Sequence, residues 1–233
     1  MVAFIDYRTT TIEKKSLSKL NIDFIEVPKN STLYDAIDGH VDIQLNIINK
    51  KEKKIIVHKD INDTFIQKLK FYNINYIQSF SSLNEKYPGN IILNAAILDD
   101  DIIHNFKYTD KNLVSSVSNK NFISVKQGYS KCSILPVRNK AIITNDKGIY
   151  TSLKNEGYDV LLLPPGDILL PNLDYGFIGG VGGKISDDSL AFFGSLDYYQ
   201  YGDEVKKFLT KYDVKPIYLK EGKLVDRGSL LCL

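Results

Sequence analysis

The sequence predicts an α/β fold in which five units of strand, strand, helix and strand close into a ring, a five-bladed α/β propeller with pseudo-fivefold symmetry. Two observations predict it. A unit of this order recurs along the 233 residues, and an isolated strand pattern at 228–233 supplies the first strand that the N-terminal unit lacks. One unit alone leaves the edges of its sheet open, and closure around an axis covers them. We expect one domain over residues 1–233, whose units are 31–80, 81–126, 127–170, 171–227 and a split unit formed by 228–233 with 1–30.

The second unit shows the order most clearly. Gly39 opens an alternating run at 40–47 that is typical of a half-buried strand, and a charged turn separates this run from an apolar strand at 54–57. Asn62 or Asp63 is placed to cap the helix that follows. A short strand at 76–77 ends the unit.

The other units repeat this order with less regular patterns. A doubly wound parallel sheet would also alternate strands with helices, but it explains neither the paired strands before each helix nor the strand at the C-terminus.

The expected elements of the other units are as follows in chain order. They are strands at 2–5 and 24–27 with a helix at 11–20; strands at 90–93, 102–103 and 122–125 with a helix at 113–117; strands at 132–135, 141–144 and 160–163 with a helix at 149–156 that Gly157 ends; and strands at 177–179, 190–193 and 216–219 with a helix at 204–211.

The composition is that of a globular protein, with 43% hydrophobic and 25% charged residues and a formal net charge of +2. The charges are spread along the chain, so we expect neither nucleic acid nor a membrane surface as partner. No stretch approaches the roughly 18–20 apolar residues of a membrane helix, and the N-terminus lacks the apolar core of a signal peptide. Two cysteines cannot form a secreted disulfide framework. With the bias toward Lys, Asn and Ile, these features predict a bacterial, cytoplasmic protein.

The cysteines are the first candidates for chemistry. Cys232 lies four residues after Gly228, and two interpretations stay open: a thiol nucleophile, or a small buried residue near a chain end. Cys132 lies at the same distance after its own glycine and is expected to face the same central space in a structural role.

A histidine and an aspartate stand two residues apart in the second unit. On a strand, His40 and Asp42 share one face, which suits either a base with an orienting carboxylate or a solvent-facing polar pair. A metal site formed by His40, Cys132 and Cys232 lacks the usual ligand spacings, so no metal is expected. The glycine-rich run at 179–183 leads into a strand rather than a helix, which excludes a phosphate-binding loop and predicts close passage of the backbone past the ring centre. No cofactor is expected.

Five such units closed by Gly-x-x-x-Cys resemble the guanidino-group-modifying enzyme, or pentein, superfamily, which includes deiminases, dimethylarginine hydrolases, amidinotransferases and non-catalytic relatives. Segment 227–232 resembles the superfamily's terminal Gly-Gly-x-x-His-Cys, and segment 39–42 its Gly-His-x-Asp. The resemblance implies that a thiolate attacks the guanidinium carbon, a histidine relays the proton and carboxylates hold the cation. On this resemblance Cys232 is the nucleophile, His40 a relocated base and Asp42 the substrate anchor.

The sequence also departs from the superfamily pattern. Segment 127–132 contains no histidine, segment 87–90 replaces Glu-Gly-Gly-Asp without either carboxylate, and Leu231 replaces the histidine before the terminal cysteine. We therefore expect a pentein with an incomplete triad that binds a small cationic, guanidine- or amidine-like ligand in a central channel. Two alternatives are an active cysteine hydrolase or deiminase using Cys232, and a non-catalytic pentein that binds a macromolecular partner. The residues expected to contact the ligand are Asp42, Asn90 and Tyr129.

Overall fold

The computed structural model describes all 233 residues and contains five sheets of three strands each. In every sheet the middle strand pairs antiparallel with one neighbour and parallel with the other. The elements in chain order are β1 Val2–Asp6, α1 Thr11–Lys19, β2 Asp23–Val27, α2 Val41–Gln44, β3 Leu45–Asn49, β4 Lys54–Val57, α3 Asp63–Phe71, β5 Asn75–Gln78, β6 Ala96–Ile97, β7 Asp101–His104, α4 Lys111–Ser116, β8 Asn121–Ser124, α5 Ser130–Ser133, β9 Ile134–Arg138, β10 Ala141–Thr144, α6 Lys147–Asn155, β11 Asp159–Leu162, β12 Gly182–Ser186, β13 Ser189–Phe192, α7 Gly202–Lys211, β14 Lys215–Tyr218 and β15 Leu231–Cys232.

The two ends of the chain complete one sheet together. β15 pairs antiparallel with β1, placing Cys232 opposite Ala3, while β2 pairs with the other edge of β1 in parallel. The backbones of Val2 and Leu233 exchange two hydrogen bonds of 2.9 Å. β15, β1 and β2 thus form one three-stranded sheet, and the predicted α/β fold of five repeated units is confirmed.

Local sequence signals account for the helix starts. Thr10 and Glu13 form a capping box at α1, and the Asn62 side chain accepts a hydrogen bond from the Phe65 amide at the start of α3. Each cap satisfies backbone N–H groups that have no partner within the helix and is worth about 1 kcal/mol. Phe65 and Leu69 then pack on the strands of the second unit, as the spacing of apolar residues predicts.

Five apolar clusters join neighbouring units around the ring. The largest contains 15 buried residues and lies between the fourth and fifth units, where Leu135 and Ile143 meet Leu190 and Phe192. The other four occupy the remaining boundaries between units, including the boundary of the fifth unit with the split unit. No helix has the length and apolar character that a membrane-spanning segment needs.

The segments before the first strands differ from the prediction. The runs expected as the starts of strands in the second and fourth units are single helical turns, α2 and α5, and the strands begin only at Leu45 and Ile134. In the third and fifth units the first strands are β6 and β12, rather than 90–93 and 177–179. Backbone groups of these turns bond to other units instead of a strand: the Asp42 amide donates to Gly228 O at 3.0 Å, and the Lys131 amide to Asn94 O at 3.0 Å. The prediction that His40 and Asp42 share a strand face is therefore wrong.

Candidate functional site

Buried polar side chains converge where the five units meet. They come from the turns before the first strands, and none is more than 7% exposed. Because the boundaries between units are filled by apolar clusters, these polar groups have mainly one another as partners. We call this set the central cluster; its members are His40, Asp42, Asn94, Lys131, Cys132, Asp226 and Ser229.

Asp42 connects three other units. Its Oδ1 accepts a hydrogen bond from the Cys132 thiol at 3.2 Å, and its Oδ2 accepts one from the Ser229 hydroxyl at 2.6 Å. Its backbone carbonyl accepts from the Asn94 side-chain amide at 2.9 Å. Ser229 adopts a φ of 73°, in the left-handed region that residues with a side chain rarely occupy, and its bonded hydroxyl helps to hold it there.

Lys131 places an ammonium group inside the cluster. Its Nζ donates to the Ser229 hydroxyl at 2.8 Å and lies 3.4 Å from the Gly179 carbonyl oxygen. Burial lowers the pKa of Lys131, and the charge of Asp42 opposes that shift. Lys131 is 7% exposed and Asp42 is 0% exposed, so both charged side chains are shielded from solvent.

The Cys132 thiol is held between two partners. Asn94 Nδ2 donates to its sulfur at 3.2 Å, while the thiol proton points to Asp42. Burial raises the pKa of Cys132 well above its usual range, and the charges of Asp42 and Asp226 raise it further. The thiol is therefore protonated at neutral pH in this arrangement.

His40 is buried without a hydrogen-bond partner on either ring nitrogen. Its Nε2 lies 3.9 Å from Asp226 Oδ1, and its side chain packs against Gly228, where a Cβ would overlap it. Asp226 accepts hydrogen bonds from the amides of Phe177 and Gly228 at 2.8 and 2.9 Å, and burial raises its pKa. A His40 ring nitrogen, an Asp42 oxygen and the Cys132 sulfur all lie within 4.8 Å of one another.

An ion-pair group supports the turn that carries His40. Arg8 binds both carboxylate oxygens of Asp6, with its Nε 2.9 Å from Oδ1, and its Nη1 lies 3.5 Å from Asp38. A Cβ at Gly39 would approach Asp6 Oδ1 to 2.5 Å, so only glycine fits between this group and His40.

The structure brings some of the predicted site residues together and separates others. His40 and Asp42 lie in the central cluster. Cys232 lies outside it, in the apolar cluster that contains Ala3 and Leu230, and burial raises the pKa of its thiol to about 12. The cysteine that the structure places in the centre is Cys132.

Asn90 and Tyr129 lie together beside the cluster. Burial raises the pKa of the Tyr129 hydroxyl, and Tyr34 and the nearby Cys132 raise it further. A hydrogen bond with Asn90 acts in the opposite direction and lowers this pKa. The Tyr129 ring stacks on Phe177 at 6.3 Å between centroids. Asn90 donates to the Glu85 carbonyl at 3.2 Å, and its Oδ1 has no partner.

Four members of the cluster were missed by the sequence interpretation: Asn94, Lys131, Asp226 and Ser229. A register signal was present for two of them. Asn94 and Ser229, like Cys132, each stand two residues before the first strand of their unit. Aligning the units on those strands would have placed the three polar side chains at one level of the ring.

The comparisons with solved structures agree with this architecture. Inosamine-phosphate amidinotransferase from Streptomyces griseus matches with a TM-score of 0.56 and 10% identity over 90% of this chain and 73% of that one. Agmatine deiminase from C. jejuni matches with a TM-score of 0.55 and 14% identity over 94% and 75%. Dimethylarginine dimethylaminohydrolase from Pseudomonas aeruginosa, in complex with citrulline, matches with a TM-score of 0.52 and 8% identity over 94% and 91%.

These matches show that the chain has the fold of the penteins, as the resemblance of the sequence predicted. No curated protein matches the sequence significantly. The chain belongs to the family described as "Family of unknown function (DUF6873)", whose model matches residues 4–231.

Proposed function

We propose that the central cluster binds a small cationic ligand of the guanidine or amidine type. The observation that carries the proposal is the charge of the cluster. Two buried carboxylates, Asp42 and Asp226, face one ammonium group, Lys131, while the thiol of Cys132 is neutral. If both carboxylates were ionised, one negative charge would have no counterpart, and an unbalanced buried charge is costly. Burial accordingly raises the pKa of Asp226. A ligand with a single positive charge would balance the unpaired negative charge.

The acceptors in the cluster suit a planar cation with several N–H donors. Asp42 and Asp226 offer carboxylate oxygens, the Gly179 carbonyl lies beside Ser229 at 2.8 Å, and His40 has no partner on either ring nitrogen. A guanidinium presents five donors in a fixed plane and binds carboxylates in pairs. The amidinotransferase and the agmatine deiminase that share the fold take their names from amidino and guanidino chemistry. This agreement adds support to the proposal.

Catalysis by a thiol is the second candidate, and the proximity of Cys132, His40 and Asp42 favours it. In such a reaction His40 would take the Cys132 proton, and the sulfur would attack the central carbon of the guanidinium. The tetrahedral adduct would expel an amine carrying that proton, leaving a thiouronium that water then hydrolyses. The raised pKa of Cys132 works against this step, so we place ligand binding first.

Calorimetric titration of the full-length protein with methylguanidine, agmatine, arginine and benzamidine tests the binding function. We expect at least one of the four to bind. Asp42→Asn should weaken that binding about 30-fold or more, because a buried charge pair loses one partner. Asp187→Asn, whose side chain is 99% exposed, is the matched control and should bind like the wild type.

Two results decide between the candidates. Absence of binding by all four probes at millimolar concentration, or unchanged binding by Asp42→Asn, would refute the cation site. Release of ammonia or an amine from a bound probe, lost in Cys132→Ser and retained in Cys232→Ser, would establish the thiol reaction instead of simple binding.

A further inference from the structure

We propose that His40, Asp42 and Cys132 form a binding site for a divalent transition-metal ion of the zinc type. The three donor atoms lie within 4.8 Å of one another, and all three side chains are buried. The second observation is His40 itself: the side chain is 1% exposed, and neither ring nitrogen has a hydrogen-bond partner. A buried imidazole without partners is costly, and a metal ion is a partner that an imidazole nitrogen accepts readily.

The donor set suits zinc better than calcium or magnesium. A neutral imidazole, a carboxylate and a thiolate are zinc ligands, whereas calcium and magnesium prefer oxygen alone. Zinc bond lengths and tetrahedral angles separate the donors by about 3.3 to 3.6 Å. The Cys132 sulfur and Asp42 Oδ1 are 3.2 Å apart, close to this separation, and a His40 ring nitrogen lies within 4.8 Å of both residues' donor atoms. Three protein ligands leave a fourth position for water.

Binding exchanges a proton for the metal. The Cys132 thiol now donates its proton to Asp42 Oδ1; on binding, that proton leaves to solvent and the sulfur and the oxygen both coordinate the ion. With the thiolate formed, Asp42, Asp226 and Cys132 carry three negative charges, and Lys131 carries one positive charge. A divalent cation balances the remainder.

The groups around the three ligands are placed to orient them. Asp42 Oδ2 stays bonded to the Ser229 hydroxyl, so Oδ1 is the oxygen free to coordinate. Asn94 Nδ2 donates to the Cys132 sulfur, a contact that stabilises a thiolate. The ion would also add a direct link between the second and fourth units, beside the hydrogen bond from Cys132 to Asp42.

Cobalt and zinc titrations of the chelator-treated, full-length protein test the site. We expect one Co²⁺ per chain, with the thiolate charge-transfer absorption and the strong visible bands of tetrahedral cobalt, displaced by one equivalent of Zn²⁺. Zinc at 100 times its dissociation constant should raise Tm by about 5 to 10 °C. Cys132→Ser should lose the charge-transfer band and weaken zinc binding about 100-fold, while Cys232→Ser, the matched control, should behave like the wild type.

Several outcomes would overturn the inference. Wild-type protein that gives neither cobalt absorption nor a zinc-dependent rise in Tm disproves it without recourse to any variant. A folded Cys132→Ser that keeps the charge-transfer band, or a Cys232→Ser that loses it, also disproves it. The test is separate from that of the cation site, because the metal needs Cys132 and the guanidine probes do not. Metal binding in protein that ignores all four probes would refute the proposed function alone.

Discussion

The thiol of Cys132 lies 3.2 Å from the carboxylate of Asp42, although 90 residues separate them in the chain. The contact crosses the ring, since it joins the second and fourth units. The apolar clusters act mainly between neighbouring units, and one of them adds Leu170 of the fourth unit to residues of the second and third. The polar centre therefore joins units that are not neighbours through hydrogen bonds, and these bonds are expected to affect the stability of the whole ring.

Removing the Asn94 side chain is expected to destabilise the protein strongly. Its amide donates to the Asp42 carbonyl and the Cys132 sulfur, and its Oδ1 accepts from the Lys131 and Cys132 amides. Asn94→Ala leaves several of these buried groups without partners, so we expect the free energy of unfolding to fall by about 3 kcal/mol. Urea denaturation measures it.

The matched control is Asn75→Ala. The Asn75 side chain makes one exposed hydrogen bond, to the Glu52 carbonyl, and its loss should change the free energy of unfolding by less than about 0.5 kcal/mol. Equal losses for the two variants would mean that the centre contributes no special stability.

The two thiols are expected to react slowly in the folded protein. Burial raises the pKa of both Cys132 and Cys232, so little thiolate is present at neutral pH. Iodoacetamide at pH 7.5 should label each at a rate roughly 100-fold below that in denaturant. Peptide mapping by mass spectrometry gives both rates.

A cationic reagent distinguishes the two cysteines. A haloacetamidine resembles the proposed ligand, so it should label Cys132 faster than Cys232, and Asp42→Asn should remove the preference. Faster labelling of Cys232 would instead support the terminal cysteine as the nucleophile, the role that the resemblance to penteins implies.

Replacing Lys131 is expected to tighten the binding of a guanidinium probe. Its ammonium shares the Ser229 and Gly179 oxygens with any ligand in the cluster, and its positive charge opposes a second cation. Lys131→Met should raise the affinity about tenfold, which corresponds to about 1.4 kcal/mol. The control is Lys184→Met, which removes a half-buried lysine outside the cluster. An unchanged affinity for Lys131→Met would place the ligand away from this ammonium group.

The sequence predicted the ring better than it predicted the centre, for a physical reason. Strand order, helix caps and the split unit are encoded by short local sequence patterns. Asn62 before α3 is an example, because its capping hydrogen bond lies within its own unit. The contacts of Asp42 with Cys132 and Ser229 exist only after the units have closed. Their hydrogen bonds across the ring also favour helical turns at α2 and α5, although the local residues favour strand.

Stability is expected to fall between pH 6.5 and pH 4 because of two buried histidines. Burial lowers the pKa of both His58 and His104 from 6.5 to about 4. The unfolded chain therefore takes up protons below pH 6.5 that the folded protein does not accept until about pH 4. Each histidine should lower the free energy of unfolding by about 2 kcal/mol between pH 7 and pH 5. Asp226 acts in the opposite sense, because its raised pKa favours the folded state in acid.

His104→Gln tests the assignment. The neutral ring donates from Nε2 to the Gly128 carbonyl at 2.9 Å, and its Nδ1 lies 2.7 Å from the Thr109 hydroxyl. Glutamine retains polar groups but does not titrate, so the variant should lose about half of the decrease between pH 7 and pH 5. An unaltered pH profile in urea denaturation would assign the acid sensitivity to other groups.

Gly179 is expected to tolerate no side chain, because the fifth unit passes directly over the turn that carries Lys131 and Cys132. A Cβ at Gly179 would lie 2.5 Å from the Cys132 carbonyl oxygen and 2.6 Å from that of Ile134, with the Lys131 carbonyl closer still. These are backbone atoms that cannot rotate away, so Gly179→Ala should cost about 2 to 3 kcal/mol and lower Tm by about 5 to 10 °C.

Gly148→Ala is the control for the intrinsic effect of adding a methyl group. Gly148 lies in α6, where the nearest atom to a new Cβ is Asp146 Oδ1 at 3.1 Å, and alanine favours helix by up to about 1 kcal/mol. This variant should be as stable as the wild type or more so. Gly179→Ala should in addition weaken guanidine binding, since the displaced turn moves Cys132 and Lys131 relative to Asp42. Equal free energies of unfolding for Gly179→Ala and Gly148→Ala would contradict this prediction, because they would show that the backbone at Gly179 has room for a Cβ.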